Sequence, residues 1–243
     1  MLDSIQYDEI KKKRRYFPLD INSSSKLYID KNIIYKFPYS PQKDLKQILE
    51  YIDKLNLPEF IRILNLIYKQ DELVGYSFVR YINYKSLNKN KFRNFALKKE
   101  DCYKVLRFYN LIAKEQIECI DLHKGNILLN PNTNSIKACD LDAYHFYDKK
   151  DLKKTQLKHA LILAIAYLYN LKEYDIKNIF YSDGIYPNSF INRCLDSVDD
   201  LNIKIALELI ESLQYNHILQ ERKEIKVKSK ELSKLGYSKF NRF

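Results

Sequence analysis

The sequence of 243 residues contains no tryptophan and only four glycines. Together with 21 tyrosines and abundant lysine, asparagine and isoleucine, this composition is typical of an A+T-rich genome. Because of this bias, the number of lysines or tyrosines does not by itself indicate a function. The net charge of +11 therefore has two explanations, which are background composition and attraction to acidic partners or nucleic acid.

Closely spaced cysteines are also missing. The four cysteines, Cys102, Cys119, Cys139 and Cys194, lie far apart in the sequence and form no C-x-x-C motif. This spacing argues against a disulfide framework or a zinc site and fits a reducing cytosol. As small apolar side chains beside strands, the cysteines need no chemical role.

Long apolar runs are absent as well. The longest run, residues 160–169, is well short of the about 20 residues that a membrane span needs. Residues 1–6 lack the apolar region of a secretory signal. The hydrophobic content of 46% is sufficient for a folded core. We therefore expect a soluble, cytoplasmic protein with no membrane partner.

Two short apolar runs, at 127–129 and 136–139, are flanked by oxygen-bearing side chains. A Pro/Asn/Ser cluster between the runs predicts a β-hairpin. We expect Asp121, Asn126 and Asp140 to converge at the open end of this hairpin. Carboxylate and amide oxygens suit Mg²⁺. A carboxylate left off the metal can accept a proton from an attacking hydroxyl.

The residues D-L-H-K-G-N-I-L-L, beginning at Asp121, resemble the catalytic loop of the protein-kinase-like superfamily. The match is to the D-x-H-x-x-N form of atypical bacterial branches and aminoglycoside phosphotransferases. The later segment C-D-L-D stands where these proteins carry D-F-G or D-x-D. The resemblance implies that Asp121 is the catalytic base of phosphoryl transfer from ATP. It also implies that Asn126, Asp140 and Asp142 bind Mg²⁺.

Two features of this motif leave alternatives open. His123 replaces the lysine of the kinase catalytic loop and would either donate a hydrogen bond to the γ-phosphate or only order the loop. The whole stretch can also be interpreted as a polar loop that caps a helix and turns a hairpin, without any chemistry.

The resemblance extends to the residues before the catalytic loop. Alternating runs at 26–30 and 32–37 predict a hairpin. Its I-I-Y-K segment is similar to the kinase V-A-I-K strand, which implies that Lys36 is the catalytic lysine that binds the ATP phosphates. An amphipathic helix is predicted over 41–57, and the resemblance implies that its Glu50 pairs with Lys36.

Residues 61–68 and 73–81 predict two further strands. The segment V-G-Y-S-F-V-R-Y-I within them resembles the fifth strand and hinge of kinases. The resemblance implies that backbone groups near Arg80, Tyr81 and Ile82 bind the adenine edge of ATP.

The glycine-rich loop of kinases is absent before the first hairpin. A segment Asn-Ser-Ser-Ser takes its place, and the backbone N–H groups of Ser24 and Ser25 are the candidates for phosphate binding there. Residues 1–16, with five consecutive basic residues, predict a solvated basic arm.

The second half of the chain shows helical periodicity. Helices are predicted at 99–114, 157–171, 190–195 and 201–213, followed from 220 by a basic tail that is helical or extended. No A-P-E motif follows Asp140, and the residue before Asp121 is not arginine. These departures favour a compact atypical kinase or a small-molecule phosphotransferase over a regulated eukaryotic-type kinase.

The expected fold class is therefore α+β, a bilobal protein-kinase-like fold. Residues 1–79 would form a small antiparallel β-sheet lobe with one helix, and 80–243 a larger, mainly helical lobe. We expect an enzyme that uses ATP and Mg²⁺ to phosphorylate Ser or Thr of a protein. A small-molecule acceptor and a degenerate kinase scaffold are the alternatives. Nucleic-acid binding ranks last, because no stacking motif or recognition helix accompanies the basic charge.

Overall fold

The computed structural model describes residues 2–11, 15–17, 25–90, 92–147, 150–172, 175–176 and 203–234. The chain forms two compact units. The first unit consists of the residues up to Tyr84 together with Asn130–Phe146, and the second of Lys85–Leu129 together with the residues from Tyr147 onward. The lobe boundary at 79 and 80 stays a prediction.

The first part of the chain is rich in strands, and the second part contains the long helices. The strands are β1 (Asp3–Gln6), β2 (Arg15–Phe17), β3 (Ser25–Asp30), β4 (Ile33–Pro38), β5 (Ile63–Lys69), β6 (Glu72–Val79), β7 (Lys85–Ser86), β8 (Ile117–Cys119), β9 (Ile127–Leu129), β10 (Ile136–Ala138) and β11 (Tyr144–Phe146). The helices are α1 (Tyr7–Lys11), α2 (Leu45–Leu55), α3 (Phe95–Lys114), α4 (Lys150–Leu168), α5 (Lys204–Ser212) and α6 (Tyr215–Lys234).

A six-stranded sheet in the order β1-β5-β6-β4-β3-β2 forms the centre of the first unit. The predicted hairpin β3–β4 and the two further predicted strands, β5 and β6, are present, and both pairs are antiparallel. Strand β1 pairs with β5 in parallel, which the predicted antiparallel sheet did not include. The hairpins place Lys36 in an inner strand, beside β6.

Residues 3–10 do not form the predicted solvated arm, because they belong to β1 and α1. Apolar side chains explain the difference: Ile10 is 5% exposed and packs with Phe37 and Ile67, and Ile5 covers the same cluster. Burial of these side chains stabilises the segment against the sheet. The basic side chains of 11–15 lie outside the described part of the chain.

Helix α2 confirms the predicted amphipathic helix and is shorter than predicted. Its buried residues, Leu45, Ile48, Leu49 and Ile52, repeat at intervals of three and four, as one apolar face requires. The helix ends at Leu55, and the following Asn56, with a left-handed φ of 48°, terminates the hydrogen-bond ladder.

Strand β10 is fixed against the chain segment before β5. The Ala138 N–H donates to the Glu59 carbonyl at 2.6 Å, and the Ile61 N–H donates to the Ala138 carbonyl at 3.1 Å. The turn before β10 is closed by a hydrogen bond from the Asn130 N–H to the Ser135 carbonyl at 2.9 Å. These bonds determine where the following residues, 139–142, enter the first unit.

The long helices α3 and α4 pack against each other in the second unit. Asn94 caps α3, with its side-chain oxygen accepting from the Ala96 N–H at 2.8 Å. Helix α4 begins at Lys150, earlier than the predicted 157, because lysines are good helix formers even without an apolar face. The buried Gln156 on this added turn bonds the β8 backbone at Cys119 N and Ile117 O.

The C-terminal part of the described chain is helical. Helix α5 confirms the helix predicted at 201–213, and the basic tail forms α6, with Ile218, Ile225 and Ser229 buried along one face. The helix predicted at 190–195 lies outside the described residues. Within the ranges given above, no helix is long and apolar enough to cross a membrane.

Candidate functional site

The first unit gathers one lysine, two aspartates and a tyrosine, which we call the Lys36 cluster. Lys36 donates to the carboxylates of both Asp140 and Asp142. The Tyr76 hydroxyl donates to Asp142 Oδ1 at 2.8 Å. Lys36 is 3% exposed, whereas the side chains of Asp140 and Asp142 are 28% and 11% exposed. Asp140 is thus the more accessible acid.

Register and a glycine position this cluster. Lys36 on β4 lies opposite Tyr76 on β6. A Cβ on the neighbouring Gly75 would lie 2.2 Å from the Lys36 carbonyl oxygen, so only glycine allows the two strands to approach this closely. Asp140 has a left-handed backbone, with φ of 64° and ψ of 48°, at the start of a 3₁₀ turn. That turn directs both acids of C-D-L-D towards Lys36.

Charge, and not burial, determines the ionisation of Lys36. Burial lowers the pKa of Lys36, but the carboxylates of Asp142 and Asp140 outweigh burial and raise the pKa above its ordinary value. Burial raises the pKa of Tyr76 well above its ordinary value, and both carboxylates raise it further. The lysine therefore stays charged, and the tyrosine keeps the proton that it donates to Asp142.

The adjacent cysteine has no nucleophilic character. Burial raises the pKa of the Cys139 thiol to about 12, and the charge of Asp140 adds to this effect. The thiolate is the reactive form of cysteine. Cys139 therefore fits the predicted role of a small apolar side chain.

Glu50, the predicted partner of Lys36, is not among its ion-pair partners. Glu50 lies half-buried on α2. In the described part of the chain, both carboxylates that pair with Lys36 come from the C-D-L-D segment. The sequence did not indicate this, because helical spacing fixes the face of a residue and not its distance from a strand.

The predicted hinge residues lie at the end of β6. The Arg80 N–H donates to the Asn32 carbonyl at 2.8 Å, so this amide is used within the first unit. The Tyr81 hydroxyl accepts from the Arg62 N–H at 3.1 Å, and the Ile82 side chain is 65% exposed. Adenine binding by this segment stays a prediction.

The serines that replace the glycine-rich loop are only partly described. Ser25 begins β3, is 6% exposed and pairs with Pro38 in the sheet. Ser24 lies outside the described residues. Their predicted contact with phosphate stays a prediction.

The second unit holds the predicted catalytic loop in a defined geometry. The Asn126 side-chain amide donates to the Asp121 carbonyl at 2.9 Å and lies 3.4 Å from Asp121 Oδ2. His123 Nε2 lies 3.5 Å from the same Oδ2. The Gly125 N–H donates to His123 Nδ1 at 2.9 Å. An accepting Nδ1 assigns the proton of the neutral imidazole to Nε2, which faces Asp121.

Gly125 is required for this imidazole position. A Cβ there would lie 2.5 Å from His123 Cε1 and 2.7 Å from Nδ1. The K-G-N sequence thus combines a donor for His123 with space for its ring. Glycine was part of the motif that we matched, but its steric role was not evident from the sequence.

The structure therefore forms two groups of the predicted residues. Lys36, Asp140 and Asp142 come together in the first unit, and Asp121, His123 and Asn126 come together in the second. The convergence of Asp121 and Asn126 with Asp140 stays a prediction. Tyr76 and Gly75 were missed, although the V-G-Y-S-F alternation places Tyr76 on the face opposite Gly75.

The candidate metal ligands are a pair of carboxylates. Within the described ranges, no group of three or more His, Cys, Asp or Glu side chains could hold a metal ion by itself. Asp140 and Asp142 contact one ammonium and so present two carboxylates at one point. Mg²⁺ usually takes one or two carboxylates from the protein, with water and substrate phosphates completing its shell. This donor set fits Mg²⁺.

The fold is α+β and protein-kinase-like, as the sequence predicted. The structure of the Cydia pomonella granulovirus kinase PK-1 matches it with a TM-score of 0.53 and 16% sequence identity, over 87% of this chain and 95% of that chain. At this identity the similarity establishes the fold alone. No protein-family profile matches the chain, and neither does any curated protein sequence.

Proposed function

We propose that this protein is a phosphotransferase that uses ATP and Mg²⁺ to phosphorylate Ser or Thr of a protein. The observation that carries the proposal is the Lys36 cluster. A buried lysine beside the acids of a D-x-D segment offers a cation for phosphate and carboxylates for Mg²⁺ at one point. The D-x-H-x-x-N loop and the protein-kinase-like fold support the same function.

In the first unit, Lys36 is the phosphate-binding group. Its ammonium is held charged by two carboxylates, and it can donate to a phosphate oxygen when ATP binds. Asp140 and Asp142 would hold Mg²⁺, with Asp140 the better placed because it is more exposed. The ion would neutralise the negative charge that develops on the transferred phosphoryl group.

In the second unit, Asp121 is the general base. Its side chain is 61% exposed and can accept the proton of a Ser or Thr hydroxyl. The Asn126 amide nitrogen donates to the Asp121 carbonyl, and the Asn126 amide oxygen would hold Mg²⁺. His123 presents an N–H donor beside Asp121, where it positions the carboxylate or a phosphate oxygen.

Two variants test this assignment by the transfer of phosphate from labelled ATP and by thermal stabilisation with ATP and Mg²⁺. Asp121→Asn should abolish transfer but keep the stabilisation, because the base does not bind nucleotide. Lys36→Met should abolish both. The control Asp71→Asn, at an exposed turn between β5 and β6, should change neither. Unchanged turnover in Asp121→Asn contradicts the proposal.

A small-molecule acceptor is the second candidate. The observation that favours it is the short connection from Asp142 to α4, which begins at Lys150. Protein kinases use a longer segment there to hold a peptide. Mass spectrometry after incubation with ATP separates the candidates, because phosphorylated Ser or Thr on protein supports the first. If ATP and Mg²⁺ give no thermal stabilisation, the chain is a kinase-like scaffold.

A further inference from the structure

The second unit contains a cavity of about 400 Å³ that no residue of the catalytic loop lines. It lies between the start of α3, the end of α4 and the first turns of α6. We call it the α3–α6 pocket. The lining residues that matter here are Arg93, Phe95, Lys98, Tyr215, Leu219 and Arg222.

Two cations in this pocket contact only uncharged oxygens in the described part of the chain. The Lys98 ammonium, 3% exposed, donates to the Asn170 side-chain oxygen and to the Tyr167 carbonyl at 3.4 Å. Arg222 donates from one terminal nitrogen to the Asn170 carbonyl at 3.5 Å. Its Nε is buried and has no acceptor among the described residues. A buried donor without an acceptor costs about 1–3 kcal/mol, so a ligand oxygen at this nitrogen would be stabilising.

The nearby acids do not form ion pairs with these two cations in the described part of the chain. Asp101 Oδ2 lies 2.9 Å from Arg93 Nε and accepts from the Tyr167 hydroxyl at 2.9 Å. The carboxylate of Glu221 on α6 accepts from the Tyr169 hydroxyl at 2.6 Å. Asp101 thus pairs with Arg93, and neither Lys98 nor Arg222 forms an ion pair in the described part of the chain.

The pKa of Lys98 reflects both its burial and its neighbours. Burial is the main reason that this pKa is lowered to about 8; the positive charges of Arg222 and Lys124 act in the same direction, and Cys102 and Asp101 oppose them. An anion in the pocket would offset the repulsion among these three cations.

Capping of α4 is the simpler explanation for part of this arrangement. Lys98, Lys124 and Arg222 donate to the carbonyls of Tyr167, Leu171 and Asn170, near the end of the helix. Cations stabilise that end of a helix. Capping does not explain the buried Arg222 Nε, and it does not explain the apolar rim.

That rim consists of exposed apolar side chains. Phe92 is 88% exposed, Tyr215 is 54% exposed and Leu219 is 39% exposed. The rings of Phe95 and Tyr215 pack with centroids 5.5 Å apart. A ligand that placed an anion on Arg222 would therefore bring its neighbouring groups onto an apolar surface.

We propose that the α3–α6 pocket binds the phosphate of a phosphorylated Ser or Thr in a protein segment that carries an apolar residue beside it. A phosphate monoester has three acceptor oxygens and up to two negative charges, enough for Arg222 and Lys98 together. Arginine suits phosphate because its Nε and terminal nitrogens donate in parallel. The apolar neighbour would cover Phe92 and Leu219.

The test compares three ligands at constant ionic strength. They are a phosphoserine peptide with a following leucine, the same peptide without phosphate, and inorganic phosphate. NMR signals of the arginine Nε–H groups report contact with Arg222 directly. We expect the phosphopeptide to shift the Arg222 signal and to bind at least about tenfold more tightly than either other ligand, because it uses both the cations and the rim.

Three variants sharpen the test. Arg222→Gln should lower the affinity for the phosphopeptide at least about tenfold. Arg107→Gln, at an exposed position of α3, should leave this affinity unchanged. Phe92→Ser alters only an exposed side chain, so it keeps the proposal testable if Arg222→Gln does not fold. It should lower the affinity for the phosphopeptide and leave the affinity for inorganic phosphate unchanged.

Several outcomes would overturn the proposal. Equal affinity for both peptides would show that phosphate is not recognised. Inorganic phosphate that binds as tightly as the phosphopeptide would make this a site for the free ion. An Arg222 signal that no ligand shifts would leave capping of α4 as the function of these cations.

Discussion

Two lysines in different units are equally buried and have opposite electrostatic environments. Lys36 and Lys98 are each 3% exposed. Lys36 contacts two carboxylates, and its pKa is raised. Lys98 contacts neutral oxygens near other cations, and its pKa is lowered to about 8. The comparison teaches that the partners, and not the depth of burial, decide whether a buried lysine keeps its charge.

Asp142→Asn is expected to have the largest effect, because it removes one of the two charges that hold Lys36. Removing one partner of a buried ion pair leaves the other charge uncompensated, and Asp140 compensates only in part. We expect a loss of about 3 kcal/mol in the free energy of unfolding, measured by urea denaturation. The control Asp53→Asn, exposed on α2, should change stability little. A loss as small as in that control would show that the ion pair contributes little.

Gly75→Ala should disturb the strand packing around Lys36 without changing any charged group. The added methyl group would lie 2.2 Å from the Lys36 carbonyl oxygen, and this backbone atom cannot move without shifting β4. Overpacking of this kind costs about 2 kcal/mol. We expect that loss in urea denaturation, together with weaker thermal stabilisation by ATP. Wild-type stability in this variant would show that the strands can separate freely.

Lys98→Met sharpens the comparison of the two lysines through the pH dependence of the free energy of unfolding. The ordinary pKa of 10.5 applies to the unfolded chain, and the folded pKa is about 8. Between these values the unfolded chain binds more protons at residue 98, so the wild-type free energy of unfolding should rise with pH relative to Lys98→Met. Urea denaturation of both proteins across this range provides the measurement.

The reverse sign holds for Lys36. Its raised pKa means that its ion pairs contribute fully to stability below the ordinary value of 10.5 and are lost only at higher pH.

The contradicting outcome for Lys98 is a constant difference in the free energy of unfolding between wild type and Lys98→Met from pH 8 to 10.5. That result would show that the assigned environment of Lys98 is wrong.

The smallest expected effect on stability is that of Gly125→Ala. The clashing atoms belong to the His123 ring, which can rotate away, so the free energy of unfolding should change by less than about 1 kcal/mol. The ring would lose the hydrogen bond at Nδ1. Imidazole ¹⁵N spectra should show a single Nε2–H tautomer in the wild type and a mixture in the variant. Identical spectra would contradict the assigned role of Gly125.

The sequence was sufficient to predict the elements around the site. Alternating runs located β3 to β6, three-and-four spacing located α2, and the D-x-H-x-x-N motif located the loop of Asp121. Contacts between segments that are distant in the sequence could not be predicted from it. The partner of Lys36 depends on the backbone conformation of Asp140, and the requirement for Gly75 depends on strand separation.

Local charge obscured apolar contacts near the start of the chain and left the conformation of the basic tail open. At the start, lysines and arginines obscured the apolar contacts of Ile5 and Ile10. In the tail, the helical alternative of the prediction is confirmed by α6. In both places a few apolar side chains determine the structure, because burial is worth more than the solvation of neighbouring charges.

The left-handed backbone of Asp140 sets a strained conformation against an ion pair at one residue. This conformation costs a non-glycine residue about 1 kcal/mol, which glycine would not lose. Glycine at this position would also take a carboxylate from the buried Lys36 ammonium, a loss of about 3 kcal/mol. Directed evolution for heat resistance alone would therefore retain this acid, and with it a candidate metal ligand.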